Sequence, residues 1–286
     1  MLYTLPNQFN WSVTTDTALF GDGAVVLTAD GVAHTKGTNT AVLPGIAEDC
    51  YGIHLLFTVG NTDATARRSM VDLLIDPAAG VGNAGSSWSV LINNLLMSSP
   101  GAVTAHSGYQ FYFPLFIKAG TAIGARTQDL VGGAAVSISA SLYGKPSRPE
   151  LVSVGTKVQT LGATTATTSG VSVTPGVSGS MGSYSASLGT LTNAAWWWQL
   201  GTGLNDASLS DIRLVWDIAE DATTKYICAS RIISASNSSL ERNTKFAFGK
   251  ELPFHLAAAG QDVYVRCGTG SGAADSTNTA CVYAVS

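Results

Sequence analysis

Charge is scarce in this chain. Only 12% of its 286 residues are Asp, Glu, Lys or Arg, about half of the ~25% usual for a globular protein. The net charge is −4, and the one adjacent Arg pair is Arg67 and Arg68 in "ATARRSM". A groove that tracks a phosphate backbone needs a basic stripe, so nucleic acid is not an expected partner. No run of about eighteen apolar residues occurs, so no membrane-spanning helix and no membrane insertion are expected. The start, "MLYTLPNQFNWSVTTD", lacks a basic region followed by an apolar one, and no secretory signal is expected there. The triplets at Asn10 and Asn237 that match a glycosylation acceptor are therefore read as chance.

Cysteine is sparse too. Cys50, Cys228, Cys267 and Cys281 fit no zinc or redox spacing. Cys267 and Cys281 could face each other on neighbouring strands; buried free thiols are the expectation. Catalytic signatures are missing as well: there is no G-x-S-x-G, no H-E-x-x-H and no phosphate loop. His34, His54, His106 and His255 are scattered. "AAGVGNAG" holds G-x-G-x-x-G at Gly80, Gly82 and Gly85 after the strand-like "VDLLID". A dinucleotide site needs a βαβ unit and a following acid. No acid lies between Asp76 and Asp129, so the stretch reads as a loop. Glycosidases need two carboxylates in one cleft. Asp72, Asp76, Asp211 and Asp217 instead read as strand residues that serve the fold. Asp63 and Asp206, each near an Asn, offer one acid apiece to Ca²⁺, which is little for a hard cation. No enzyme, no cofactor and no metal are expected.

Ser, Thr, Asn, Gln and Gly must cover the surface. That suits a protein that assembles or sits outside a cell, or simply one with small polar groups on its surface. Apolar residues come in short bursts: "GAVVLTAD", "GIHLLFTV", "YQFYFPLFI", "AVSISASLYG", "IRLVWDIA" and "CVYAV". Many are β-branched or aromatic, and Gly, Pro, Asn or Asp separates them, as strands and turns require. Only "SSWSVLINNLLMSS" could pass for a helix.

Pieces of the first half return in the second. "AGTAIGAR" is answered by "AGQDVYVR", so Gly120 and Gly260, and Arg126 and Arg266, stand 140 apart. Tyr143 and Tyr283 share that offset; Asp76 and Asp217 differ by 141, Asp63 and Asp206 by 143, and Pro44 and Pro175 by 131. The matches are collinear. They predict an all-β chain of two tandem β-sandwich, jelly-roll-like domains made by internal duplication, 1–147 with an N-terminal arm and 148–286. Two prolines in "YGKPSRPE", Pro146 and Pro149, mark a short stiff linker. "MLYTLPNQFNWS" is either an anchoring arm or a first strand.

Four residues stand out as candidates for an interface or a ligand. After the turn at Gly120, alternation puts Arg126 on the face opposite Ile123 and Ala125, and Arg266 opposite Val263 and Val265. Each Arg either faces solvent or ties down a loop or a neighbouring subunit through a carboxylate. By the 143 offset, Trp196, Trp197 and Trp198 of "AAWWWQLG" overlie Ile53, His54 and Leu55. Trp196 and Trp198 then belong to the core. Trp197 takes the place of His54 on the outer face, either under its own loops or as an aromatic platform for a sugar ring or a partner subunit, and the expectation is that a neighbouring subunit, the adjacent domain or a ligand covers it.

"YFPLFIKAGTAIGARTQ", with "VDLLIDPAAG" before it and "YGKPSRPE" after it, resembles virion structural proteins of tailed bacteriophages and phage-like gene transfer agents: head fibres, spikes and decoration proteins. The resemblance covers mainly residues 50–150 and brings no catalytic residues. It implies β-sandwich domains, a structural place on the virion and, as a further partner, a host-surface glycan. The expected partners are then other virion proteins and further copies of the chain, with a trimer favoured. The alternative from another class is a carbohydrate-binding module.

Overall fold

The computed structural model describes residues 8–11, 25–59, 67–99, 107–145, 153–163, 170–177, 179–184, 186–203, 212–220, 226–235, 257–269 and 278–286. Among these, no helix occurs. The first half forms β1 (Gln8–Trp11), β2 (Val25–Thr28), β3 (Thr40–Leu43), β4 (Gly52–Val59), β5 (Arg67–Asp76), β6 (Ser89–Ser99), β7 (Ser107–Phe113), β8 (Ala122–Asp129) and β9 (Ala135–Tyr143). One sheet runs β1-β9-β4-β7, with β2 also on β9; the other runs β3-β8-β5-β6. From β2 onward successive strands alternate between sheets, except that β5 and β6 are neighbours in one, which is the order of a jelly roll. β9 shows the alternation its sequence predicts: Val136, Ile138, Ala140 and Leu142 are buried, while Ser137, Ser139 and Tyr143 are half-buried.

The second half repeats this order. β10 (Val158–Leu161), β11 (Val171–Val173) and β13 (Trp197–Gly203) pair with β17 (Asn278–Val285). β12 (Ala186–Thr190), β16 (Asp262–Thr269), β14 (Ile212–Glu220) and β15 (Tyr226–Ala235) form the facing sheet in that order.

Hydrogen bonds recur at one spacing. Gly120 N–H donates to Ile46 O and Gly260 N–H to Leu191 O, both at 2.8 Å. Gly37 N–H donates to Thr127 O and Gly182 N–H to Cys267 O, again at 2.8 Å. An isolated bridge joins Cys50 to Ile117, and another joins Ala195 to Ala257. In each case one partner moves by 145 residues (46 to 191, 37 to 182, 50 to 195) and the other by 140 (120 to 260, 127 to 267, 117 to 257). Gly120 and Gly260 have φ of 84° and 86°, the left-handed region that a glycine turn occupies without strain.

The 145 spacing corrects three matches read from sequence. Asp217 answers Asp72, Trp197 answers Gly52, and Pro44 falls opposite Gly189 rather than Pro175. The "ID" of "VDLLID" and the "WD" of "RLVWD" look alike but lie out of step, which the small alphabet of the chain conceals. Asp63 and Asp206, the offset-143 pair, lie outside the described residues, as do residues 146–150 of the expected linker. Gln8–Trp11 is a strand paired to β9; the rest of "MLYTLPNQFNWS" lies outside the described residues.

Residues 86–99, the one stretch open to a helical reading, are mostly strand. β6 pairs with β5 along its length. Ile92, Leu95, Leu96 and Met97 are all fully buried. Alternation fails from Leu95 to Ser98, where successive residues are all buried, whereas Ser89, Val90 and Asn93 are exposed. A strand wet on neither side has an unbroken apolar run, which is indistinguishable from a buried helix by pattern.

Candidate functional site

The two jelly rolls do not meet as beads on a linker. The sheet β10-β17-β13 lies between the first jelly roll and its own partner sheet. β17, "NTACVYAV", carries no charge and is buried on both faces. Its Ala280, Val282 and Ala284 line the second core, while Cys281, Tyr283 and Val285 join the first. Tyr283 is fully buried and meets Phe111 and Phe113 edge-on, with centroids at 5.7 and 6.2 Å. Its hydroxyl donates to Asn94 O at 2.8 Å and accepts from Leu96 N–H at 2.6 Å. Thr160 Oγ1 donates to Asn93 O at 2.7 Å, and Ser98 Oγ to Thr202 O at 3.4 Å. The facing backbone groups of β6 are thereby satisfied, as buried polar groups must be.

Trp197 belongs to this junction. Its indole N–H donates to Tyr112 O at 3.1 Å, and the two rings meet edge to face at 5.7 Å. The ring packs against the first core together with Trp196, whereas Trp198 packs into the second. The expectation that Trp196 shares the core face with Trp198 is corrected: Trp196 precedes the strand, so strand alternation does not govern it. Trp197 and Trp198 do point opposite ways. What covers Trp197 is the neighbouring jelly roll of the same chain.

His54 sits on β4 between Tyr112 and Ser141. Burial lowers its pKa from the ordinary histidine value, against a hydrogen bond with Gln110 that raises it. It is therefore neutral near pH 7. The position that answers it by the 145 spacing, 199, is Gln199.

Arg126 and Arg266 do the same thing in the two jelly rolls. Arg126 Nε donates to Asp72 Oδ2 at 2.9 Å from the adjacent strand. Arg266 donates to Asp217 Oδ2 through Nε at 3.0 Å and Nη2 at 2.9 Å. Each Arg is thus partly exposed and does pair with a carboxylate, but the carboxylate lies on the neighbouring strand of the same sheet. Tyr184 lies under the Arg266 guanidinium, 4.3 Å from its ring centroid, a cation–π contact.

In the first jelly roll the pair gains further members. Lys36 Nζ donates to Asp72 Oδ1 at 2.8 Å, Asn94 Oδ1 at 2.9 Å and Met70 O at 3.2 Å. Asn94 N–H donates to the same Asp72 oxygen at 3.0 Å. Burial by itself would raise the Asp72 pKa; Lys36, the Asn94 amide and Arg126 outweigh it and hold the carboxyl below the usual range. Sequence reading named Asp72 but not Lys36 or Asn94, which lie 36 and 22 residues from it in the chain.

The G-x-G-x-x-G stretch is a clasp on the fold. Gly80 N–H donates to Gly120 O at 2.9 Å, Gly82 N–H to Gly45 O at 2.7 Å, and Gly45 N–H to Asn83 O at 2.9 Å. Asp76 anchors the loop by accepting from Ser86 and Ser87 N–H, both at 2.8 Å. Cys50, Cys267 and Cys281 are buried thiols that form no disulfide; Cys267 and Cys281 lie in different sheets.

Fold and junction together define the class: an all-β chain of two jelly rolls joined through a shared core. No family model matches it, and no curated protein does. Among solved structures it is similar to PNGF-II, at 12% identity and a TM-score of 0.35 over 99% of this chain and 63% of that one. It is also similar to a chain of Sulfolobus Turreted Icosahedral Virus, at 10% identity and a TM-score of 0.27 over 91% and 58%. The CBM22-1-CBM22-2 tandem domain of Paenibacillus barcinonensis Xyn10C gives 9% and 0.27 over 97% and 91%. This chain thus spans less than two thirds of the first two. Likeness of this size speaks to neither ligand nor partner.

Proposed function

We propose that the protein is a non-enzymatic structural protein on the exterior of a phage or phage-like particle, of the head-fibre, decoration or attachment kind. Its two jelly rolls are copies of one duplicated unit. It works as a homo-oligomer, a trimer, bound to other virion proteins, and its outer end meets a host-surface glycan. The observation that carries this reading is the use made of the conspicuous side chains. Trp197, Tyr283, Arg126 and Arg266 are all engaged in holding strands and jelly rolls together. Such a chain is organised as a rigid building block. The low charge and the resemblance of residues 50–150 to virion proteins support the same reading.

The test is purification of particles from the strain that carries the gene, with the protein followed by immunoblotting and its mass in solution measured separately. Co-sedimentation with intact particles, surface labelling by antibody and a trimeric mass are expected. A monomer that never sediments with particles and binds an isolated glycan would overturn the proposal in favour of a carbohydrate-binding module.

A further inference from the structure

The cross-strand Asp–Arg pair is common to both jelly rolls, but its surroundings are not. By the 145 spacing, Lys36 is answered by Met181. The strand opposite also differs. β5 and β6 slip register between Val71 and Leu73: these pair with Leu95 and Ile92, so β6 carries one extra residue at Asn93–Asn94. β14 and β15 pair without a shift from Ile212 to Ile218. The bulge and the lysine therefore occur together, in the jelly roll onto which the other one docks.

The bulge connects the charges to the dock. Asn94 takes φ of 52°, a conformation unusual for a residue with a side chain. Asp72 and Lys36 hold it there from one side, through its amide and its side-chain oxygen. On the other side its carbonyl, with Leu96 N–H, receives the Tyr283 hydroxyl. Asn93 O next to it receives Thr160. A regular β6 would aim these groups differently.

We propose that Lys36, Asp72 and Arg126 form a charge latch that fixes the Asn93–Asn94 bulge and thereby holds the second jelly roll on the first. With the latch broken, the two part along β17 while each keeps its own fold. The Arg–Asp pair alone stabilises a jelly roll; Lys36 and the bulge add the docking function. This inference does not depend on where the protein works.

Cys281 reports on the opening. It lies beside Tyr283 in the buried junction, whereas Cys267 belongs to the second core and Cys50 to the first. Burial pushes the Cys281 thiol up to about 12, so in the closed chain it reacts slowly. The experiment is iodoacetamide labelling of the full chain under native conditions, with each cysteine followed by peptide mass spectrometry. Asp72→Asn and Lys36→Met are each expected to speed Cys281 labelling by about tenfold or more, because local opening sets the rate. Cys267 and Cys50 should stay protected. Asp217→Asn, which breaks the corresponding pair in the second jelly roll, should not single out Cys281. Tyr283→Phe combined with Asp72→Asn should open the junction little further than the stronger single change. If all three cysteines rise together in Asp72→Asn, the milder Lys36→Met decides. A rise confined to Cys281 there supports the latch. A joint rise, or none, overturns it, and so does equal Cys281 labelling in Asp72→Asn and Asp217→Asn.

Discussion

Replacing Trp197 by Ala removes a side chain that touches both jelly rolls. Truncating a fully buried Trp costs about 3–5 kcal/mol. Trp197 is half-buried, so its packing share is roughly half of that, about 2 kcal/mol. Losing the indole hydrogen bond to Tyr112 O adds about 1 kcal/mol, because the carbonyl keeps its need for a donor. The expected loss is about 3 kcal/mol, or roughly 6–9 °C in melting temperature for a chain of this size. Because the lost contact bridges the jelly rolls, it should couple to its partner. Trp197→Ala and Tyr112→Ala together should then fall short of additivity by about 1 kcal/mol. The assay is thermal unfolding by circular dichroism for the two single variants and the double, with mass in solution recorded for each. A melting temperature within about 1 °C of the parent, with the oligomer lost, would refute the reasoning: Trp197 would then face another chain rather than its own neighbour.

Gly120→Ala and Gly260→Ala each force a side chain into φ near 85° and should each lose about 1–2 kcal/mol. The losses should be nearly equal by denaturant titration, since an added Cβ meets nothing nearer than 3.7 Å at either site. Gly45→Ala should disrupt more, because its Cβ would lie 1.9 Å from Gly80 O; hydrogen exchange at the Gly82 amide should rise sharply. Asp72 is held below its ordinary pKa in the folded chain. Its stabilising share is therefore present above about pH 4 and lost as pH falls through the lowered folded value. The stability gap between the parent and Asp72→Asn, measured by urea titration, should be constant from pH 7 to about pH 5 and shrink below about pH 4.

Strands, turn glycines and the Arg126 and Arg266 positions were legible because local rules govern them. Alternation in "AVSISASLY" and the left-handed turn at Gly120 need no knowledge of the rest of the chain. The junction was not legible. Residues 95–98 of β6 and 279–285 of β17 are buried on both faces, and there the usual polar positions vanish with the water that would have required them. The Lys36–Asp72–Asn94 cluster draws on three loops and strands that only the jelly-roll order brings together. One further signal lay in the sequence: "GVAHTKG" at 31–37 and "GVSGSMG" at 176–182 stand 145 apart. That match would have placed Trp197 opposite Gly52 and Lys36 opposite Met181 from the outset.

The dock between the jelly rolls sets a sheet face of one against strand edges of the other. Such a head-to-tail relation has no symmetry to close it, and identical modules joined this way would add to one another without end. The corresponding side chains of β9 differ from those of β17. Counting inward from Tyr143 and Val285, Ser137, Ser139 and Ser141 stand where β17 has Thr279, Cys281 and Tyr283. Ser137 and Ser139 are half-buried and Ser141 is buried, and a serine hydroxyl gives less drive toward burial than the apolar groups of β17. Among the described residues, the first jelly roll thus receives a neighbour on its edges, and β9 does not carry the Cys281–Tyr283–Val285 face with which β17 docks.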